Sequence, residues 1–188
     1  ENIGFPADLF RADGHGFQIS THAIGDGAIR RTLDGYEAAR KANGKRDSRH
    51  RIEHIELIDP ADIPRLAELG VIASLQPVSA PTVPGNPLEP ILTRVGDKLP
   101  YAYAWQLIRN AGAMVAFSSD WPIAPLDPFL GMQAAMTAKP LRRDCTSQAQ
   151  TLMDSLHAFT LAGAHMEFME DRKGMLKDGY LADVVVLD

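Results

Sequence analysis

Segments that read as short strands alternate along this chain with segments that read as helices, and that alternation restricts the fold more than any other feature. A βα repeat lays each strand parallel to the last, so the expected class is α/β with a parallel sheet. Residues 17–22 form the first expected strand, with Phe17, Ile19 and Thr21 on one face and Gln18, Ser20 and His22 on the other. Gly25-Asp26-Gly27 leads into a helix whose apolar face is Ala28, Ile29, Leu33 and Tyr36 and which ends near Gly44. Residues 51–58 are the second strand. Asp59-Pro60 then starts a helix with Ile63, Leu66 and Ala67 as its buried stripe and Gly70 as its stop. Residues 71–75 are the third strand. The prolines at 77, 81, 84, 87, 90 and 100 predict a long connection without regular structure, of the kind used as a lid or binding loop. A helix over 101–110 and a strand over 114–119 follow, delivering Asp120-Trp121-Pro122. Helices are expected over 128–138 and 147–168, and Lys177-Asp178-Gly179 reads as a hairpin turn into a strand over 180–187.

Composition narrows the class further. Hydrophobic residues make up 45% of the chain and charged residues 23%, ordinary values for a globular protein. The net charge of −5 leaves no basic surplus for nucleic acid. No apolar run approaches the roughly 18 residues of a membrane span. The single cysteine, Cys145, fits a reducing compartment, and a cytoplasmic location is expected. The chain opens inside a helix at Glu1 and stops inside a strand, so both ends read as cut, and any signal peptide would lie outside this sequence. Arg40, Lys41, Lys45, Arg46, Arg49 and Arg51 read as a solvated helix end, where cations meet the negative pole of the dipole.

Three residues able to bind a metal fall at strand ends: His22 at the first, His54 in the second, Asp120 at the fourth. In parallel α/β proteins the C-terminal strand edge is where loops converge and chemistry is placed. Two imidazoles and a carboxylate from neighbouring strands suit Zn²⁺, Mn²⁺ or Fe²⁺. His15, His50, His157 and His165 do not share that placement and read as structural. A rival motif is Gly25-Asp26-Gly27, which resembles the opening of a dinucleotide fingerprint, but its third glycine position is Arg30.

Four motifs stand in order: His22-Ala23-Ile24-Gly25-Asp26, Arg51-Ile52-Glu53-His54, Ser119-Asp120-Trp121-Pro122 and the closing stretch from Gly179 to Asp188. Together they resemble the C-terminal half of a metal-dependent amidohydrolase, of the branch that includes N-substituted formamide deformylase-like proteins. The resemblance implies half of a (β/α)₈ barrel beside a small β-sandwich, with residues 1–170 supplying barrel strands 5–8 and 171–188 beginning the sandwich. It implies that His22, His54 and Asp120 bind metal, with Asp120 also the catalytic proton acceptor, and that Gln76 and Trp121 contact substrate. Ser79 stands where the family often has a histidine. The family's His-x-His pair and strand 4 ligand have no counterpart in this sequence.

For the intact enzyme the resemblance implies hydrolysis of a non-peptide C–N bond in a small amide, formamide or cyclic amide. One or two divalent metals, zinc above all, would activate the water. Deamination of a heterocycle in the same superfamily and a non-catalytic scaffold that keeps the motifs are the alternatives. A complete barrel takes about 250 residues, so this chain alone is expected to be an inactive fragment that self-associates through open barrel edges.

Overall fold

The computed structural model describes residues 4–186. Four strands, β1 (Ser20–Ala23), β2 (Arg51–His54), β3 (Ile72–Leu75) and β4 (Val115–Phe117), form one parallel sheet in the order β1-β2-β3-β4. Each crossover carries a helix: α2 (Asp26–Asn43), α3 (Ile63–Leu69), then α4 (Glu89–Arg94) and α5 (Trp105–Asn110) together. Helix α1 (Gly4–Gly14) precedes the sheet, and α6 (Pro128–Met136), α7 (Leu152–Phe159) and α8 (Leu161–Met166) follow it. The expected α/β class with a parallel sheet is therefore present. Among the described residues, no helix is long and apolar enough to cross a membrane.

Register separates the sheet into two unlike faces, because cross-strand partners point the same way. Ile52, Ala73 and Val115 align with one another, as do Leu75 and Phe117. This face packs on Ile29, Leu33 and Tyr36 of α2, Leu66 of α3, and Trp105 and Ile108 of α5, in one core. Burying a side chain of that size contributes about 1.5–3 kcal/mol, against about 0.5–1.5 kcal/mol net for a hydrogen bond. Strands this short are held by their helices more than by their ladders.

The other face changes character across the sheet. Over β3 and β4, Ile72 and Ala116 are buried beneath Ala162 of α8, with Met114 and Met166 packed alongside. Over β1 and β2 it is polar, pairing Ser20 with Arg51 and His22 with Glu53. Helix α8 is tied to the opening of the first two strands. Gln18 Nε2 donates to the carbonyls of Arg49 and Met166, both at 2.8 Å. Arg49 donates to the His165 carbonyl (2.6 Å) and to Glu170 (2.8 Å), and its guanidinium lies 4.3 Å from the Phe168 ring centroid.

Several local signals act as the sequence predicts. The Asp59 carboxylate caps Ala61 N at 2.9 Å, Pro60 follows, and a short 3₁₀ turn runs into α3. That helix closes at Gly70, whose φ of 68° suits a residue without a Cβ. The basic group after α2 differs from its expectation of plain solvation. Arg40 donates to the Glu68 carbonyl at 2.7 Å, Arg46 to Asp13 and the Phe17 carbonyl, and Arg49 to α8, so these cations clip neighbouring elements together.

Other boundaries are corrected. The second strand ends at His54 rather than 58, because His54 and Ile55 take φ values of 78° and 50° and interrupt the regular ladder, although the Ile55 and Leu57 N–H groups still donate to the Ala23 and Ile24 carbonyls. Segment 77–100 holds α4 and two 3₁₀ turns, Pro77–Ser79 and Gly96–Tyr101; Pro77 and Pro90 sit in first turns, where no N–H is needed. The helix expected from 101 begins at Trp105. The single helix expected over 147–168 is α7 and α8, parted at Thr160 (φ −121°, ψ −83°). Ala28 is exposed, and the buried stripe of α2 continues through Thr32 and Ala39 instead. Within the described part of segment 180–187 there is no strand; Val185 and Val186 are 79% and 94% exposed. A strand needs a neighbour's N–H and C=O groups to exist. Residue 187 lies outside the described residues.

One buried polar cluster secures α1 to the sheet. His50 Nδ1 accepts the Ile19 N–H (3.1 Å), so Nε2 carries the proton and donates to Asp13 (3.0 Å). Asp13 also accepts from Asn43 and Arg46, and Tyr36 stacks 4.8 Å from the imidazole. Burial lowers the His50 pKa, against the pull of Asp13. Burial raises that of Asp13, but hydrogen bonds from Asn43, Arg46 and His50 carry it below the usual carboxylate range. Both folded values lie below the unfolded ones, so the unfolded chain takes up protons first. Stability held above the ordinary imidazole pKa of about 6.5 is lost as pH falls through the folded His50 value, and more goes as Asp13 protonates. The urea midpoint should therefore fall between pH 7.5 and 5, and His50→Gln should flatten that fall; an equal slope in the variant would assign it to other groups.

Candidate functional site

Because the strands are parallel, all their C-terminal ends lie on one edge. His22 is the penultimate residue of β1, His54 the last of β2, Gln76 follows β3, and Asp120 lies just past β4. The sheet alone does not bring the two histidines together. His54 is in register with Ala23, whose side chain is buried in the helix-covered core, whereas His22 alternates to the opposite face. A regular pleat would send the two imidazoles to opposite sides. The left-handed backbone of His54 breaks the alternation, and the rings meet edge to face with centroids 4.4 Å apart and planes at 70°.

Positive φ is uncommon for any residue with a Cβ and a clear outlier for a β-branched one. Here it occupies two consecutive positions, His54 and Ile55, and recurs at Asp120 (56°) on the same edge. Local strain of this kind is retained where the surrounding structure over-determines it, as functional sites do. Ile55 is fully buried, which anchors the turn.

Asp120 is exposed, and its backbone carbonyl accepts the Ile123 N–H at 2.8 Å. It does not join the histidine pair: among the described residues, no three His, Cys, Asp or Glu side chains lie close enough to hold one ion. Gln76 is buried, with Nε2 donating to Ser118 Oγ (3.0 Å), so its amide braces the ends of β3 and β4. Trp121 is 67% exposed. His50 serves the cluster at the opposite strand edge described above, while His157 and His165 lie on α7 and α8.

The motif reading assigned Glu53 no role, yet its carboxylate is the hub of the polar sheet face. Ser20 Oγ and Arg51 Nε both donate to Glu53 Oε1 at 2.7 Å. Burial pushes this carboxyl up, but hydrogen bonds from Ser74, Ser20 and Arg51 outweigh it and hold it below the usual range. The charge is thus fixed directly beside His22 in the register. The signal was present as the alternation of Arg51 and Glu53 around buried Ile52.

The Gly25-Asp26-Gly27 turn does not offer a phosphate its backbone. Asp26 itself accepts the Gly27 N–H at 2.9 Å and pairs with Lys98, and Arg30 is bound to Asp62 and Asp59. The Asp26 carboxylate already takes one of the N–H groups that an anion would use at this helix start.

A cleft of about 650 Å³ opens beside the edge, between the chain leaving β3 and the chain leaving β4, over α6. Val78 and Val83 form one wall, and Ile123 and Leu130 the other.

Comparison with known proteins is uniform. A model of the amidohydrolase family matches residues 7–188. The Arabidopsis thaliana protein LONG AFTER FAR-RED 3 is 34% identical over 181 residues, covering 94% of this chain and 30% of that protein. An N-substituted formamide deformylase of Arthrobacter pascens is 27% identical over 185 residues, 95% of this chain and 33% of the other. Among solved structures, an uncharacterized metal-dependent hydrolase from Pyrococcus furiosus superposes with a TM-score of 0.75 at 28% identity, over 94% of this chain and 35% of its own. The chain thus spans about a third of the length of the relatives it matches.

The strained turn gives a direct test. At an ordinary strand position alanine is more stable than glycine, but a left-handed residue reverses that order by about 1 kcal/mol. His54→Gly should therefore unfold at a higher denaturant concentration than His54→Ala. The opposite order would show that His54 carries no backbone strain.

Proposed function

The chain belongs to the amidohydrolase family, and on that premise we propose that it contributes half of a metal-dependent active site that hydrolyses a non-peptide C–N bond in a small amide, formamide or cyclic amide. In this reading β1 to β4 are strands 5–8 of an eightfold barrel, and residues 171–188 begin a small sandwich domain. The observation that carries the reading is the His22–His54 pair, assembled at the C-terminal edge by a left-handed residue.

The pair fits a divalent metal. It offers two neutral nitrogen donors of the kind zinc prefers, and among the described residues neither ring is engaged by a hydrogen bond that would compete. Two donors fall short of a closed site, and the others would come from strands of the barrel beyond these four. A divalent ion held there supplies an activated water and polarises the carbonyl. The remaining chemistry belongs to the chain. The Asp120 carboxylate takes the proton of the attacking water and returns it to the leaving nitrogen, which must depart as a neutral amine. Glu53, in register with His22 and paired with Arg51, fixes the polar sheet face beside that imidazole. The segment after β3 and Trp121 form the substrate's surroundings, with Gln76 at the point where that segment leaves the sheet.

Asp120→Asn in the full-length protein keeps the side-chain shape and removes the proton acceptor. It should lower kcat by about 10²–10⁴-fold on whichever amide is turned over, with the far-ultraviolet dichroism unchanged. Wild-type turnover in that variant would remove Asp120 from the chemistry.

A further inference from the structure

The cleft beside the edge has a property that neither the metal site nor the family membership supplies. Of all chain positions 23% are charged, yet among the described residues that line the cleft none carries a formal charge. Its walls are aliphatic, and its polar members, Ser79 and Gln133 among them, are neutral. Those walls grow directly out of the catalytic edge: Val78 follows Gln76-Pro77, and Ile123 donates its N–H to the Asp120 carbonyl at 2.8 Å. The β3 side is also built in advance. Asn86 Nδ2 donates to the carbonyls of Val78 (2.9 Å) and Ala80 (2.8 Å), which folds the proline-rich segment into a fixed wall.

An apolar group entering the cleft would lie against Ile123 and Leu130, and the hydrophobic gain rises with the area removed from solvent. A charged group entering the same space would give up hydration without meeting a counter-charge, which is costly. The volume of about 650 Å³ lies within the range of about 300–1,000 Å³ usual for small-molecule sites.

We infer that this cleft is the specificity subsite of the reaction: it receives the group flanking the scissile C–N bond and selects one that is uncharged and mainly apolar, such as an aryl or branched alkyl substituent. The inference rests on the amide-hydrolase reading for the identity of the ligand, and on the lining alone for its charge and polarity.

The test uses the full-length protein and a set of simple amides whose flanking chain ends in a methyl group, a carboxylate or an ammonium group. Two readouts are taken: kcat/KM for the metal-loaded enzyme, and affinity by calorimetry for the metal-free protein. The neutral compound should exceed both charged ones by about tenfold or more in each. Gln133→Glu places a carboxylate of nearly the same shape in the cleft, and should shift the ratio of ammonium to carboxylate compound upward by about tenfold. If amides are hydrolysed with no discrimination by charge, the subsite assignment fails and the hydrolase reading stands. If no amide is hydrolysed yet the neutral compound still binds best, the subsite stands and the hydrolase reading fails. A Gln133→Glu variant whose charge preference matches wild type would overturn the subsite outright.

Discussion

Strands of three or four residues cannot hold a sheet by their own hydrogen bonds, so the packing of one wholly apolar sheet face against its helices, with the other face polar over β1 and β2, governs everything else here. Ile52, Ala73, Leu75, Val115 and Phe117 commit one face to α2, α3 and α5. That commitment fixes the register, since a slip by one residue would turn those side chains away from the helices that cover them. Once the register is fixed, His22, Arg51 and Glu53 have no choice but the other face. The polar face is thus a consequence of the core, and the candidate chemistry is placed by packing that never touches it.

His54 is the exception that makes the site. By its parity it belongs with Ile52 among the helices, and only the left-handed backbone takes it across to His22. The neighbouring Ile55 is buried without measurable exposure, so its packing can offset the conformational cost of both residues. An aliphatic anchor is here the support of a polar site.

The βα rhythm, the Asp59-Pro60 start, the Gly70 stop and the placement of His22, His54 and Asp120 at strand ends were all legible, because each rests on local chemistry that the residue types encode. The left-handed turn was not, because His54-Ile55 contains neither glycine nor asparagine to announce it. The proline-rich segment misled for a related reason: Pro77 and Pro90 break structure inside a helix but begin it in a first turn, and only the three-dimensional chain distinguishes the two. The closing valines read as a strand from alternation and propensity alone, whereas a strand is a property of two neighbours. The role of Glu53 escaped because a carboxylate between an arginine and a histidine reads as surface charge until its partners Ser20 and Ser74 are known.

The clamp of Gln18 and Arg49 on α8 bears on how the chain reaches this arrangement. The bond from Gln18 to the Met166 carbonyl joins residues 148 positions apart, and Arg49 reaches Glu170 across 121. Contacts so distant in sequence are slow to find, because the loop entropy is spent before the contact repays it. During synthesis, β3 and β4 emerge before α8 exists, leaving Ile72 and Ala116 uncovered until that helix arrives. The sheet should therefore pass through a long-lived, half-covered stage on the ribosome, in which binding by a chaperone competes with aggregation.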